Sequence, residues 1–218
     1  NQRIPDPSRM EAAAVQARDV SAGVEQKLGQ HLPAAHEALL LPYEEGFMGR
    51  ADDDQKVLLS ADLPWIGLRT NDPSGAHVRL LSDIVNPVGV KIGSDSNEDH
   101  IKELHGRLNP RSIPGHLIFM LRLHAGQSNE EILSAIREHA PGALNMFDIH
   151  AVTRTSDSGS RIRSVTETIE QMAALSAQCG SLGLKPHGVH LETTTEDRFE
   201  CVDEPDQEPL MTETSTRS

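Results

Sequence analysis

The sequence predicts an α/β fold, a shortened TIM-type (β/α) barrel of about six parallel strands alternating with helices. Three observations point that way. Short apolar runs recur near residues 38, 65, 89, 119, 147 and 190. Stretches with apolar residues at helical spacing lie between them. Five of the runs end on or just before a polar residue suited to an anion or a metal. These are Leu63–Leu68 before Arg69, Pro87–Val90 before Lys91, Leu117–Leu121 before Arg122, Leu144–Ile149 before His150, and Gly188–Leu191 before Glu192. In such a barrel the C-terminal strand ends converge on one mouth, where the chemistry sits.

Element by element, a proline-rich lead opens the chain. A weak, alanine-rich helix follows over the first ~30 residues, with Met10, Ala13, Ala14, Ala17, Val24 and Leu28 roughly on one face. Ala38-Leu39-Leu40-Leu41, ending at Pro42, reads as a short buried strand, and Gly49 to Gln55 as a charged surface loop. After the Trp65 strand, Ala76 to Val85 carries Val78, Leu81 and Ile84 at helical spacing. Ser96-Asn97-Glu98-Asp99 is an acidic, N-cap-like start for a helix with Ile101, Leu104, His105 and Leu108 on one side. Ser128-Asn129-Glu130-Glu131 opens the next, burying Ile132, Ala135 and Ile136 and closing at Pro141-Gly142. A last helix, from about Ser160 to Gln178, shows Ile162, Val165, Ile169, Met172 and Ser176 and stops at Gly180. From Glu204 the chain is acidic and rich in Ser, Thr and Pro, the composition of a disordered tail.

The expected organisation is a helical extension over residues 1–34, a partial barrel over 35–203 and a tail over 204–218. A full eight-stranded barrel usually needs about 250 residues, and the 218 here include the tail and leading helix. A net charge of −13 argues against nucleic-acid and anionic-membrane partners. No apolar run approaches the ~20 residues of a membrane span. The polar, proline-broken start has no signal-peptide pattern. Cys179 and Cys201 make neither a disulfide framework nor a Cys-x-x-Cys pair, so a reduced, cytoplasmic protein is expected.

Arg69 and Arg122 offer planar forks that match phosphate or carboxylate, and Lys91 adds a compact charge. Brought to one rim, the three would bind a small dianion. His150 and Glu192 are candidate metal ligands, with Asp148, Cys201, Asp203 and Asp206 the nearest further donors in sequence. Taken singly, each cation also reads as a solvated surface charge, and His150 with Glu192 as a hydrogen-bonded pair. Strand alternation puts His190 and Glu192 on one face. The glycines form neither a Walker loop nor a dinucleotide fingerprint.

Several segments resemble the type II 3-deoxy-7-phosphoheptulonate synthases. They are His36-Glu37-Ala38-Leu39-Leu40-Leu41-Pro42-Tyr43-Glu44, Trp65-Ile66-Gly67-Leu68-Arg69-Thr70, Gly75-Ala76-His77 and Asn86-Pro87-Val88-Gly89-Val90-Lys91-Ile92-Gly93. Arg122, Asp148 with His150, and Gly188-Val189-His190-Leu191-Glu192 through Glu200-Cys201 extend the match over roughly residues 35–201. The resemblance implies condensation of phosphoenolpyruvate with erythrose 4-phosphate, assisted by a divalent metal such as manganese or cobalt. It implies that Arg69, Lys91 and Arg122, with Trp65, hold phosphoenolpyruvate, and that Lys91 and His150 are catalytic. His150 and Glu192 would ligate the metal, with Asp203 or Asp206 as a further ligand.

The sequence also departs from the family pattern. It lacks the Gly-Gly-Asp-Cys and Lys-Pro-Arg-Ser segments of the first strands, and the match begins near the third. Leu68 stands where the family has an acid. Asn71-Asp72-Pro73-Ser74 replaces an Arg-Gln-x-Asp run, and Arg122-Leu123-His124 an Arg-Met-Gly run. The segment around His150 is one residue shorter. These departures imply a changed acceptor or, alternatively, a degenerate barrel that acts as a binding or regulatory protein. A third alternative is half of a split enzyme completed by another chain. Open sheet edges need cover, so a homo-oligomer or partner chain is expected.

Overall fold

The computed structural model describes residues 23, 25–27, 29–30, 33–149, 154–155, 161–191 and 201–203. The chain divides into two compact units, residues 1–34 and 35–218. In the first, residues 23 and 25–27 are helical. Gly29, at φ +67, donates its N–H to the Glu25 carbonyl at 2.8 Å. That left-handed stop is one a side chain would resist.

The second unit opens with β1 (Ala35–Glu37), α1 (Leu41–Gly46), β2 (Met48–Arg50), β3 (Lys56–Leu58) and β4 (Leu63–Ile66). It continues through α2 (Ala76–Leu81), β5 (Val88–Gly93), α3 (Glu98–Leu108), β6 (Leu117–Arg122), α4 (Glu130–His139) and β7 (Leu144–Asp148). Then come β8 (Arg154–Thr155), β9 (Arg161–Ser164), α5 (Val165–Ser181), β10 (Gly188–His190) and β11 (Cys201–Val202). Strands β1, β4, β5, β6, β7 and β10 pair in that order into one six-stranded sheet. Every pairing in it is parallel. This is the shortened barrel sheet that the alternation predicts. Two small sheets, β2–β3 and β11–β9–β8, stand outside it.

Register sorts the sheet into two faces. Ile92, Leu121, Phe147 and Val189 are successive partners across β5, β6, β7 and β10. With Ile66, Val88, Val90, Leu117 and Phe119 they mark the helix-covered face. Apart from Val189, these belong to one buried cluster with Val78, Leu81, Ile101, Leu104, Leu108, Leu133 and Ile136 from the helices. Each fully buried side chain of this size contributes roughly 1.5–3 kcal/mol. The opposite face carries Trp65, Gly89, Lys91, Ile118, Met120, Arg122, Met146, Asp148, Gly188 and His190, because period-2 alternation sends every second residue there.

Four local readings need correction. Ala38–Leu41 is not a strand: β1 precedes it, and Leu39 and Leu40 are exposed. Pro42, preorganised for a first helical turn, starts α1 there instead. The predicted Gly49–Gln55 loop is shorter, since β2 takes residues 48–50 into a hairpin with β3. Helix α2 ends at Leu81 rather than Val85, although Ile84 is buried as expected and bridges to Lys56. Pro87 disfavours helix at Asn86. Asn86 also donates to the Leu58 and Ala61 carbonyls (both 3.0 Å) and accepts from Leu58 N–H (2.8 Å).

The last helix begins at Val165, not near Ser160, and residues 161–164 form β9. Ser164 Oγ accepts from Glu167 N–H at 3.1 Å, the first half of a Ser-x-x-Glu capping box. Val165 and Ile169 are exposed, and Leu175 and Cys179 are the buried residues of the helix. By contrast, Asn97 caps α3 as expected, accepting from His100 N–H at 2.9 Å.

Candidate active site at the strand ends

Lys91 sits at the middle of a wholly buried strand, β5. Its side chain and that of Asp148 on β7 are 7% and 0% exposed, and Nζ lies 3.0 Å from Asp148 Oδ2. An ammonium removed from water needs such a counter-charge, because unpaired burial costs several kcal/mol or more. Nζ also stands 4.4 Å from the centre of the Trp65 ring, a cation–π contact. Trp65 in turn meets His190 edge to face, with ring centres 5.2 Å apart. His190 is the register partner of Asp148. Four strands thus bring Trp65, Lys91, Asp148 and His190 into one cluster.

Missing side chains make room for it. A Cβ on Gly89 would lie 2.7 Å from Met120 Cε and 2.8 Å from Trp65 Cβ. Gly67 faces the Glu37 carboxylate closely enough that any Cβ there would strike it. Close packing therefore requires the glycine of the Pro-Val-Gly segment, whereas at Gly67 the Glu37 carboxylate would have to swing aside.

Two of the predicted cations border the cluster differently. Arg122 ends β6, partly buried, with Gly93 as its register partner and on the same face as Lys91. Arg69 lies exposed in the turn after β4. That turn is pinned by Thr70, whose N–H and hydroxyl both donate to the Gly67 carbonyl at 3.1 and 3.3 Å. Leu68 packs beside Gly93, since a Cβ on that glycine would lie 3.2 Å from Leu68 Cδ2.

The loop after Arg122 is fastened to α5 by two glutamines two turns apart. Gln171 Oε1 accepts from Ala125 N–H at 2.8 Å. Gln178 donates to Ala125 O at 2.9 Å and accepts from Asn129 Nδ2 at 2.8 Å. Asn129, at the N-cap position of α4, thus spends its amide on this clamp and makes no side-chain cap to the helix. Sequence reasoning missed these glutamines because nothing local marks a helix face that holds a loop.

His150 and Glu192, the predicted metal ligands, lie outside the described residues, as does Asp206. Asp203 is exposed at the end of β11, in a separate small sheet, and its carbonyl accepts from Thr166 N–H at 3.3 Å. For Cys201 only the backbone, in β11, is described. Among the described residues, no group of three or more His, Cys, Asp or Glu side chains could hold a metal ion. Asp148, one of the further donors in sequence, is instead the partner of Lys91. His36, in the first matching segment, binds Glu44 Oε1 at 2.9 Å, and Ser60 Oγ donates to Glu44 Oε2 at 2.7 Å. This ties β1 to α1.

The cations on this face have the chemistry an anion site needs. Lys91 supplies fixed charge in a water-poor setting, and Arg122 on the same face adds a guanidinium fork. No helix of the described residues is long and apolar enough to cross a membrane.

Comparison with known proteins gives the same direction. The model of the class-II DAHP synthetase family matches residues 8–213. A protein of Pseudomonas fluorescens named "Probable phospho-2-dehydro-3-deoxyheptonate aldolase" is 34% identical over 184 residues, covering 83% of this chain and 46% of that protein. A phospho-2-dehydro-3-deoxyheptonate aldolase of Streptomyces coelicolor is 31% identical over 175 residues, 78% of this chain and 39% of its own length. One from Mycolicibacterium smegmatis is 30% identical over 179 residues, with the same two coverages of 78% and 39%. The chain spans less than half the length of these relatives.

Proposed function

The chain belongs to the class-II DAHP synthetase family, and from that premise we propose that it takes part in condensing phosphoenolpyruvate with an aldehyde sugar phosphate. In this reaction C3 of the enol attacks the aldehyde carbon, whose oxygen takes up a proton. Water adds at C2, and inorganic phosphate leaves. The observation that carries the proposal is Lys91, paired with Asp148 and seated over Trp65, with Arg122 on the same face.

In this reading Lys91 and Arg122 bind the phosphate and carboxylate of phosphoenolpyruvate, and Arg69 completes the rim. Trp65 forms an apolar wall beside the enol. Asp148 keeps Lys91 in place until the anion arrives, and Lys91 and His150 are the groups that touch the reacting atoms. His150, Glu192 and Asp203 would hold a divalent metal, manganese or cobalt, which when bound supplies Lewis-acid polarisation of the aldehyde. A changed acceptor is part of the proposal. Leu68 replaces an acid beside Arg69, and Asn71 to Ser74 replace a basic and amide run. Ionic, phosphorylated substrates set the reaction in the cytoplasm.

A second reading, that another chain or a second copy completes the site, is favoured by one observation. Among the described residues the sheet ends at β1 on one side and β10 on the other, and an edge strand invites pairing.

Trp65 is the only tryptophan and therefore reports on the site. Phosphoenolpyruvate added with manganese is expected to change its fluorescence saturably, and Arg122→Ala and Lys91→Met to abolish the response. Phosphate release is then assayed with erythrose 4-phosphate and a panel of other aldehyde phosphates. No response to phosphoenolpyruvate would sink the proposal. Binding without release on any acceptor would favour completion by a further chain.

A further inference from the structure

The turn carrying Arg69 and the strand carrying Lys91 are joined by hydrogen bonds that the family resemblance does not assign. The pairing of β4 with β5 stops at Ile66 with Val90. One residue beyond, the Lys91 carbonyl accepts from the Asn71 side-chain amide at 2.9 Å. A side chain thus continues the join where the β4 backbone turns away. Asn71 is itself held: its carbonyl accepts from His100 Nε2 at 2.9 Å. His100 Nδ1 lies 3.2 Å from the hydroxyl of buried Ser96, whose N–H donates to the Gly93 carbonyl at 3.1 Å. The circuit runs from Lys91 through Asn71, His100 and Ser96 back to Gly93, the register partner of Arg122.

We propose that Asn71 and His100 are positioning residues, a latch that holds the Arg69 turn against the end of β5. The latch would preset the spacing of the rim cations for an anion. Its use in binding rests on the phosphoenolpyruvate reading above, but its existence does not. A side-chain amide suits the task because it donates to one carbonyl while its own backbone carbonyl takes the imidazole N–H. Asn71 stands where the family run has arginine, so the latch belongs to this chain's own version of the rim.

The test uses the full chain and three variants: Asn71→Asp, His100→Gln and His100→Phe. Asp keeps the shape of Asn but sets an acceptor against the Lys91 carbonyl. Gln keeps a donor near the place of Nε2, and Phe keeps a ring without one. Amide hydrogen exchange is measured over residues 67–71 and 91–93, with α4 as internal reference. Asn71→Asp and His100→Phe are expected to raise exchange there by about tenfold, the loss of one hydrogen bond, and to leave α4 unchanged. His100→Gln is expected to stay close to the unaltered chain. In the Trp65 fluorescence titration, the affinity for phosphoenolpyruvate should fall about tenfold in Asn71→Asp, with no matching loss of thermal stability.

Unchanged exchange at residues 67–71 in both Asn71→Asp and His100→Phe would overturn the latch. So would equal exchange in His100→Gln and His100→Phe. If the unaltered chain shows no response to phosphoenolpyruvate, the substrate reading fails, and the exchange comparison still decides the latch.

Discussion

Lys91 Nζ and Asp148 Oδ2 meet at 3.0 Å across the intervening strand β6, with both side chains withdrawn from solvent. Removing one partner leaves the other charge buried, which costs about 3–5 kcal/mol. We expect Lys91→Met and Asp148→Asn each to lower unfolding free energy by that order in urea denaturation. The double variant Lys91→Met with Asp148→Leu should recover part of the loss, since the two paired charges are removed together. If the single variants are as stable as the unaltered chain, the pair is not a structural element of the sheet.

Gly89 makes room for Trp65. Of its two close neighbours, the Met120 methyl can swing aside, but Trp65 Cβ is anchored to the backbone. Gly89→Ala is therefore expected to cost about 1–3 kcal/mol through overpacking and to shift the emission of Trp65. A shifted spectrum with unchanged stability would mean that the sheet relaxes around the methyl. An unchanged spectrum would mean that the ring does not lie against β5.

Asn86, in the Asn-Pro-x-Gly-x-Lys segment, touches none of the clustered site residues in the hydrogen bonds it makes. It spends its amide on Leu58 and Ala61 and its oxygen on Leu58 N–H. Asn86→Ala would strand those groups at about 1–3 kcal/mol. We expect a lower urea midpoint with phosphoenolpyruvate affinity retained in the folded fraction. Loss of affinity at full stability would assign Asn86 to the site instead.

Burial holds the His105 imidazole below its ordinary 6.5, partly offset by a hydrogen bond to the Pro141 backbone. Burial, and then the Arg111 charge, lowers His116 as well. The unfolded chain therefore takes up protons that the folded chain resists. Stability from keeping these rings neutral is full above about pH 6.5. It falls as pH drops through that value toward the folded pKa. The urea midpoint should decline from about pH 7 to pH 5, and less steeply in His105→Gln. Parallel profiles would remove His105 as a source.

Much of this was legible in the chain because it is written at short range. The apolar runs near 65, 89, 119, 147 and 190 are strands of the sheet, and Asn97 caps its helix. Ala38–Leu41 misled because a four-residue apolar run has no period of its own, and Pro42 decided for helix. The start of α5 misled because Ile162, Val165 and Ile169 fall at helical spacing. Yet Ile162 lies in β9, and Val165 and Ile169 face outward. The Ser164-x-x-Glu167 box was the better signal.

The sequence by itself determined the parallel α/β order, the placing of Arg122 at a strand end and of Lys91 in the run before it, and the family to which they belong. These depend on local periodicity and on the alternation of side chains along a strand. Only the tertiary structure decided that Asp148 neutralises Lys91, that Trp65 and His190 close around it, and that Asn71 with His100 fastens the Arg69 turn. Those contacts join residues far apart in the chain. Strand register and the need of buried charges and carbonyls for partners select them, and neither is visible until the sheet is assembled.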